Sequence, residues 1–235
     1  MAIISSKTDF NGAIFVAIPV SALLEICAYT PDAAIDALQA GAGRVELCSH
    51  PEFDGISPPE SWFRKIPVQL HAKLAVMVRP RGGSFCMSVS ELHQMEQEII
   101  RLSTQQQAGA LVFGMLAPDN QIDEAACRRL ITAAQNLPCV FHRAFDLVPN
   151  PEKSLQTLIG LGFTRLLCGL PLPELISLKN QAAGRISIMP GGGIRAHNVH
   201  QYLQAGFTEI HSSARNSSIL PDPQELHKII IACQN

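Results

Sequence analysis

Short apolar runs rich in β-branched residues alternate along this chain with longer stretches of helical periodicity. The runs are LLEIC (23–27), RVELC (44–48), LAVMVRP (74–80), ALVFGML (110–116), CVFHRAF (139–145), RLLCGL (165–170), ISIMPGGG (186–193) and EIHSSAR (209–215). Each is followed by a helical pattern: PDAAIDALQAG after the first, SPPESWFRKI after the second, VSELHQMEQEIIRLSTQQQ after the third, and so on to PQELHKIIIAC. Strands that alternate with helices pair in parallel, because a parallel neighbour is reached only through a long crossover. Eight such units in 235 residues, with no spacer rich in Gly, Pro or Ser, predict an α/β fold of one closed (β/α)8 barrel, a TIM barrel, over residues 23–235. An open doubly wound sheet is disfavoured, and no GxGxxG follows the first strand to hold a dinucleotide. Pro31 and Gly41 bracket the first helix, and Ser88 or Ser90 stands where the third needs a cap.

Chemistry in such barrels gathers at the C-terminal strand ends. Side chains alternate across a strand, so Glu25 and Cys27 share one face, as do Glu46 and Cys48, while Leu24, Ile26, Val45 and Leu47 take the other. If the first two strands are neighbours, Cys27 and Cys48 stand side by side in the lumen. A buried cysteine is often only a small hydrophobe, but two thiolates so placed suit a soft ion such as Cu(I). Buried Glu25 and Glu46 need partners or protons. Arg79, in phase with Met77 and Arg81, is the expected partner, leaving the two acids as an ion-pair network or as proton-transfer groups.

Further groups cluster at later strand ends. Arg79 and Arg81 in RPRGGSF either clamp a carboxylate or phosphate or only neutralise the glutamates. In FHRAFD, His142 is a candidate acid, base or imidazole ligand, with Asp146 orienting it or capping the next helix. Gly191, Gly192 and Gly193, with His211, Ser212 and Ser213 at the end of the eighth strand, match the place where barrels hold phosphate, unless the glycines serve tight turning alone.

Composition removes other classes. A net charge of −2 with no lysine or arginine run gives nucleic acid or an anionic membrane nothing to bind. Seven cysteines, an odd number lying mostly inside apolar runs, predict free thiols in a reducing cytoplasm, and no CxxC or CxxH pair forms a zinc knuckle. The apolar stretch AIFVAIPVSALL (13–24) is too short to span a bilayer. Lys7 ahead of it and Ser21 and Ala22 within it give a signal-peptide outline, but Asp9, Pro19 and the direct run into LLEIC favour an added strand or cap. Residues 1–22 are therefore taken as an N-terminal extension.

LEICAY, RVELCS, RPRGGSF, FHRAFD, MPGGGI and HSSAR, in this order, resemble the CutC family, a copper homeostasis family with a TIM-barrel fold, over residues 24–215. The resemblance implies a role in cytoplasmic copper homeostasis, with copper as Cu(I) held by the family's two cysteines, which fall on Cys27 and Cys48. The chain departs from the family at FDGISPP, with one glycine where two are usual, and at CGLP, where a Thr-Ser-Gly sequence is usual. Two functions stand side by side. One is a Cu(I)-binding protein; the other is an enzyme on a small anionic or phosphorylated substrate, with Glu25, Glu46, His142 and Asp146 handling protons and Arg79 and Arg81 holding the anion. A barrel serving as a homo-oligomeric scaffold is a third, plainer reading.

Overall fold

Eight parallel strands ring a common axis: β1 (Leu23–Ala28), β2 (Arg44–Leu47), β3 (Leu74–Met77), β4 (Ala110–Phe113), β5 (Cys139–Phe141), β6 (Arg165–Cys168), β7 (Ser187–Pro190) and β8 (Glu209–Ser212). This computed structural model describes residues 21–235 apart from residue 106. All but the last two positions of the expected extension, and most of the strand or cap expected over 13–24, lie outside the described residues. The ladder runs β7-β6-β5-β4-β3-β2-β1-β8. The two ends of that ladder meet side by side, where Ser212 Oγ donates to the Ile194 carbonyl at 2.7 Å and ties β8 to the loop beyond β7. The barrel is nearly closed, as the alternation predicts.

The helices are α1 (Pro31–Ala40), α2 (Val89–Thr104), α3 (Glu124–Ala134), α4 (Pro151–Leu161), α5 (Leu172–Ala182), α6 (Val199–Gln204) and α7 (Pro223–Gln234). The sequence marked their ends for identifiable reasons. Ser88, not Ser90, starts α2: its hydroxyl accepts from the Glu91 N–H while the Glu91 carboxylate accepts from the Ser88 N–H at 2.7 Å. Gly41 ends α1 at φ +112°, a conformation that other residues resist.

The helix expected at SPPESWFRKI does not form. The chain from β2 to β3 runs through 3-10 turns at Pro51–Phe53, Glu60–Trp62 and Val68–Lys73. Pro58, Pro59 and Pro67 each remove an amide donor and crowd the preceding turn, so only single turns survive between them. Phe63 and Ile66 are buried all the same and anchor the segment.

Two packed layers follow from strand parity. Leu24, Ile26, Val45 and Leu47 pack outward under the helices. Cys27, Cys48, Ala75, Met77, Val112 and Leu167 pack inward around the barrel axis.

Candidate functional site

At the foot of the lumen lies a lattice of charges. Arg44 projects inward from β2 and donates to Glu25 on β1 and Glu209 on β8, with its guanidinium against Met189 Sδ at 3.3 Å. Arg165 approaches Glu209 at 3.8 Å. The second oxygen of Glu25 accepts from His211 Nδ1 at 2.8 Å. Burial alone would push the Glu25 carboxyl up, yet the His211 hydrogen bond, reinforced by the Arg44 charge, brings it down to about 2. Glu25 is thus a fixed anion.

The expected Glu–Arg79 pairing does not form, and Arg44 takes that role at Glu25. The strands are staggered, so Glu25 pairs in register with Arg44 and Cys27 with Glu46. Arg79 lies higher, at the mouth. It donates to the carbonyls of Phe53, Gly55 and Gly83 at 2.9, 3.2 and 2.8 Å and stacks 4.4 Å over the Phe85 ring. Arg44 shares parity with Glu46 and Cys48, which is the signal that could have revealed it.

One layer above the lattice, Cys27 Sγ and Cys48 Sγ stand 3.3 Å apart, both buried. Side-by-side placement in the lumen holds as parity predicts. Glu46 Oε2 is 3.8 Å from Cys48 Sγ and 3.8 Å from His211 Nε2. The bond from Cys48 draws Cys27 well below the ordinary thiol range, and the same bond raises Cys48, since two adjacent thiols cannot both ionise. Burial, aided by the Cys27 charge, lifts the Glu46 carboxyl. Burial also opposes charge on His211, but the carboxylates of Glu46 and Glu25 and the Cys27 sulfur overcome it and raise its pKa. Cys27, Glu46 and His211 can each bring a ligand atom within 4.8 Å of the other two.

Above these groups opens a cavity of about 480 Å³, walled by Cys27, Glu46, Arg79, His142 and His211. His142 is neutral: burial, with the Arg79 charge second, lowers its pKa to about 3. Its Nδ1 accepts from the Ala144 N–H at 3.3 Å, which requires an unprotonated nitrogen. The sign of the pH dependence follows. Between pH 6.5 and 3 the unfolded chain binds a proton that the folded chain refuses, so this contribution is present above 6.5 and fades as pH falls. The His142 contribution to the unfolding free energy is expected to drop by up to about 1 kcal/mol per pH unit below 6.5, opposed by Glu46, whose raised pKa adds stability as pH falls. In His142→Asn, whose amide oxygen can accept from the Ala144 N–H without titrating, urea unfolding across pH 7 to about 5.5 should show less loss of stability on acidification than the wild type. Parallel slopes would exclude His142 as the source.

Other sequence-picked residues divide. Asp146 lines the cavity but neither orients His142 nor caps α4; it accepts from Gly169 N–H and Arg143 Nε, both at 2.8 Å, while Asn150 caps α4. Arg81 does not line the cavity: it pairs with Glu91 and donates to the Ser84 and Cys86 carbonyls, stapling its own loop. Gly192 and Gly193 face the cavity at φ +80° and +78°. Gly191 is pressed on Leu167, where a Cβ would stand 2.5 Å from Cδ1. Ser212 is spent on backbone at the barrel seam, and Ser213 Oγ accepts from Arg195 at 3.3 Å, though both reach the cavity wall. Sequence reasoning missed Tyr29 and Arg215, which stack at the rim with 4.9 Å between guanidinium and ring.

All seven cysteines are free thiols, as their number and placement predict. Among the described residues no helix is long and apolar enough to cross a membrane.

The CutC family profile matches residues 22–216. The copper homeostasis protein cutC homolog of Mus musculus is 41% identical over 205 residues, covering 83% of this chain and 74% of its own. The Homo sapiens homolog is 40% identical with the same coverage. A crystal structure named as the copper homeostasis protein CutC of Streptococcus agalactiae superposes with a TM-score of 0.73 at 38% identity, covering 82% of this chain and 98% of that one. A phosphoribosylanthranilate isomerase of Thermotoga maritima, at 17% identity and a TM-score of 0.61, shares the barrel fold alone.

Proposed function

The chain belongs to the CutC family, and from that premise we propose that it takes part in copper homeostasis by binding Cu(I) between Cys27 and Cys48 in the cytoplasm. The observation that carries the reading is the pair of buried sulfurs 3.3 Å apart at the cavity floor. Thiolates are the ligands Cu(I) selects, and a two-sulfur set suits its low coordination number. Cys27, drawn below the usual thiol range, supplies the first thiolate, and the ion displaces the proton that Cys48 otherwise shares with it. Cys27 lines the cavity, so the ion enters from the mouth.

A Cu(I) competition titration against a strong chelator tests this. The Cys27→Ser/Cys48→Ser double variant is expected to lose about a hundredfold in affinity, or about 2.7 kcal/mol. Equal affinity in the two proteins would remove the pair as ligands.

A second reading draws on a separate observation. Arg79 Nε is buried without a hydrogen-bond partner among the described residues, at the wall of the cavity. A guanidinium so left awaits an anion. In this reading the protein is an enzyme on a small carboxylate or phosphorylated substrate, held by Arg79, with neutral His142 and buried Glu46 exchanging its protons. Glu25, fixed between Arg44 and His211, only positions. Screening phosphorylated and carboxylate metabolites by thermal shift should find a ligand raising Tm by about 5 °C or more at about 100 Kd, and Arg79→Ala should abolish the shift. Hits indifferent to Arg79→Ala, or none, would end this reading.

A further inference from the structure

Cys27, Glu46 and His211 come from three adjacent strands, β1, β2 and β8, and all three side chains face the cavity. Their donor atoms lie within 4.8 Å of one another, with His211 Nε2 and Glu46 Oε2 at 3.8 Å. Ligand atoms on a tetrahedral ion at 2.0–2.3 Å stand roughly 3.3–3.8 Å apart. The cluster is therefore close to a coordination shell already and needs only a small contraction. We infer that these three residues form a site for a borderline divalent cation of the zinc class, distinct in its donors from the two-sulfur pair.

Three features beyond proximity support it. The donor set is mixed: one sulfur, one carboxylate and one imidazole are what zinc accepts, whereas Cu(I) selects sulfur. His211 is held for the task. Its Nδ1 donates to Glu25 at 2.8 Å and Glu25 is anchored by Arg44, which fixes the ring and aims Nε2 at the cluster. A carboxylate behind a ligating histidine is the arrangement that fixes tautomer and raises ligand basicity. Finally, Glu46 is 4% exposed, yet its Oε1 has no hydrogen-bond partner among the described residues. A buried carboxyl oxygen without a partner is costly, and a cation in the cavity floor, displacing the acid's proton, supplies what is missing.

With three protein ligands, the fourth position opens on the cavity below Arg79 and His142. That is the open form of zinc site, which leaves room for water or an oxygen of a bound anion. The site shares Cys27 with the Cu(I) pair but uses neither Cys48 nor the copper reading.

The test uses the full chain, stripped by chelator under reducing conditions and titrated with Zn2+ against a chromophoric competitor. One equivalent should bind. His211→Gln and Glu46→Gln should each weaken it by at least about tenfold, and Glu25→Gln by about 10–100-fold through the histidine. Cys48 touches Cys27 and Glu46, so Cys48→Ser should weaken Zn2+ binding by far less than His211→Gln does, while it lowers Cu(I) affinity by more, and either proposal fails without the other. Zinc-edge X-ray absorption on the wild-type chain keeps the inference testable if a variant does not fold: one sulfur with an imidazole is expected. No stoichiometric binding, a two-sulfur shell without imidazole, or a loss on Cys48→Ser equal to that on His211→Gln would overturn it.

Discussion

Arg44→Met is expected to lower the unfolding free energy by about 3–5 kcal/mol. Methionine keeps much of the stem volume, so the loss isolates the charge from the cavity term. The guanidinium joins two strands that are not sequence neighbours, donating to Glu25 and to Glu209. Removing it leaves Glu25 with His211 alone, and Glu209 with Arg165 at 3.8 Å. An anion stranded in the barrel interior is what makes breaking a buried pair costly, even where the intact pair gains little over apolar packing. Against a total stability of about 5–15 kcal/mol, the variant should be close to unfolding at growth temperature. Adding Glu25→Gln removes the stranded charge, and the double variant should recover a sizeable part of the loss. Urea unfolding followed by circular dichroism measures both. A cost under about 1 kcal/mol for Arg44→Met would mean that water, not Arg44, solvates the lumen acids.

Strand periodicity made much of this site legible. Side chains alternate with period two, so identity and position alone place Glu25, Cys27, Glu46, Cys48 and Arg79 on the inner face, where they all lie. What periodicity cannot give is height along the barrel axis. Height is set by the stagger between strands, which brings Arg44 rather than Glu46 level with Glu25 and lifts Arg79 clear of both. His211 was visible as a strand-end residue, but its partnership with Glu25 spans the β1–β8 ladder, a contact 186 residues apart in sequence. Loop side chains obey no period at all. Arg81 turns to Glu91 and Asp146 to Gly169 because the nearest unpaired backbone and the α2 cap lie there, and residue type does not encode that. The missing helix after β2 was readable: three prolines across residues 57–67 outweigh its apolar spacing.

Gly109→Ala should cost about 3 kcal/mol or more. A Cβ there would stand 2.0 Å from the Ala72 carbonyl oxygen and 2.7 Å from its carbon. Both obstacles are backbone, so no rotamer relieves them. Gly109 also donates its N–H to Leu74 O at 2.8 Å, the first bond of the β3–β4 pairing, so moving away breaks the ladder at its start. Gly160, inside α4, meets nothing within 4 Å, and there alanine should stabilise by up to about 1 kcal/mol through helix propensity. The same substitution thus has opposite signs at two glycines that look alike in the sequence. Gly109 lies at the N-terminal end of β4, the end opposite the cavity, where barrels keep stability rather than chemistry. Whatever fraction of Gly109→Ala remains folded should therefore bind Cu(I) with unchanged stoichiometry while its urea midpoint falls. If both glycine variants shift the midpoint the same way, or if Gly109→Ala loses its ion before it loses its fold, the separation of a stabilising N-terminal end of the barrel from a ligand-holding C-terminal end is wrong.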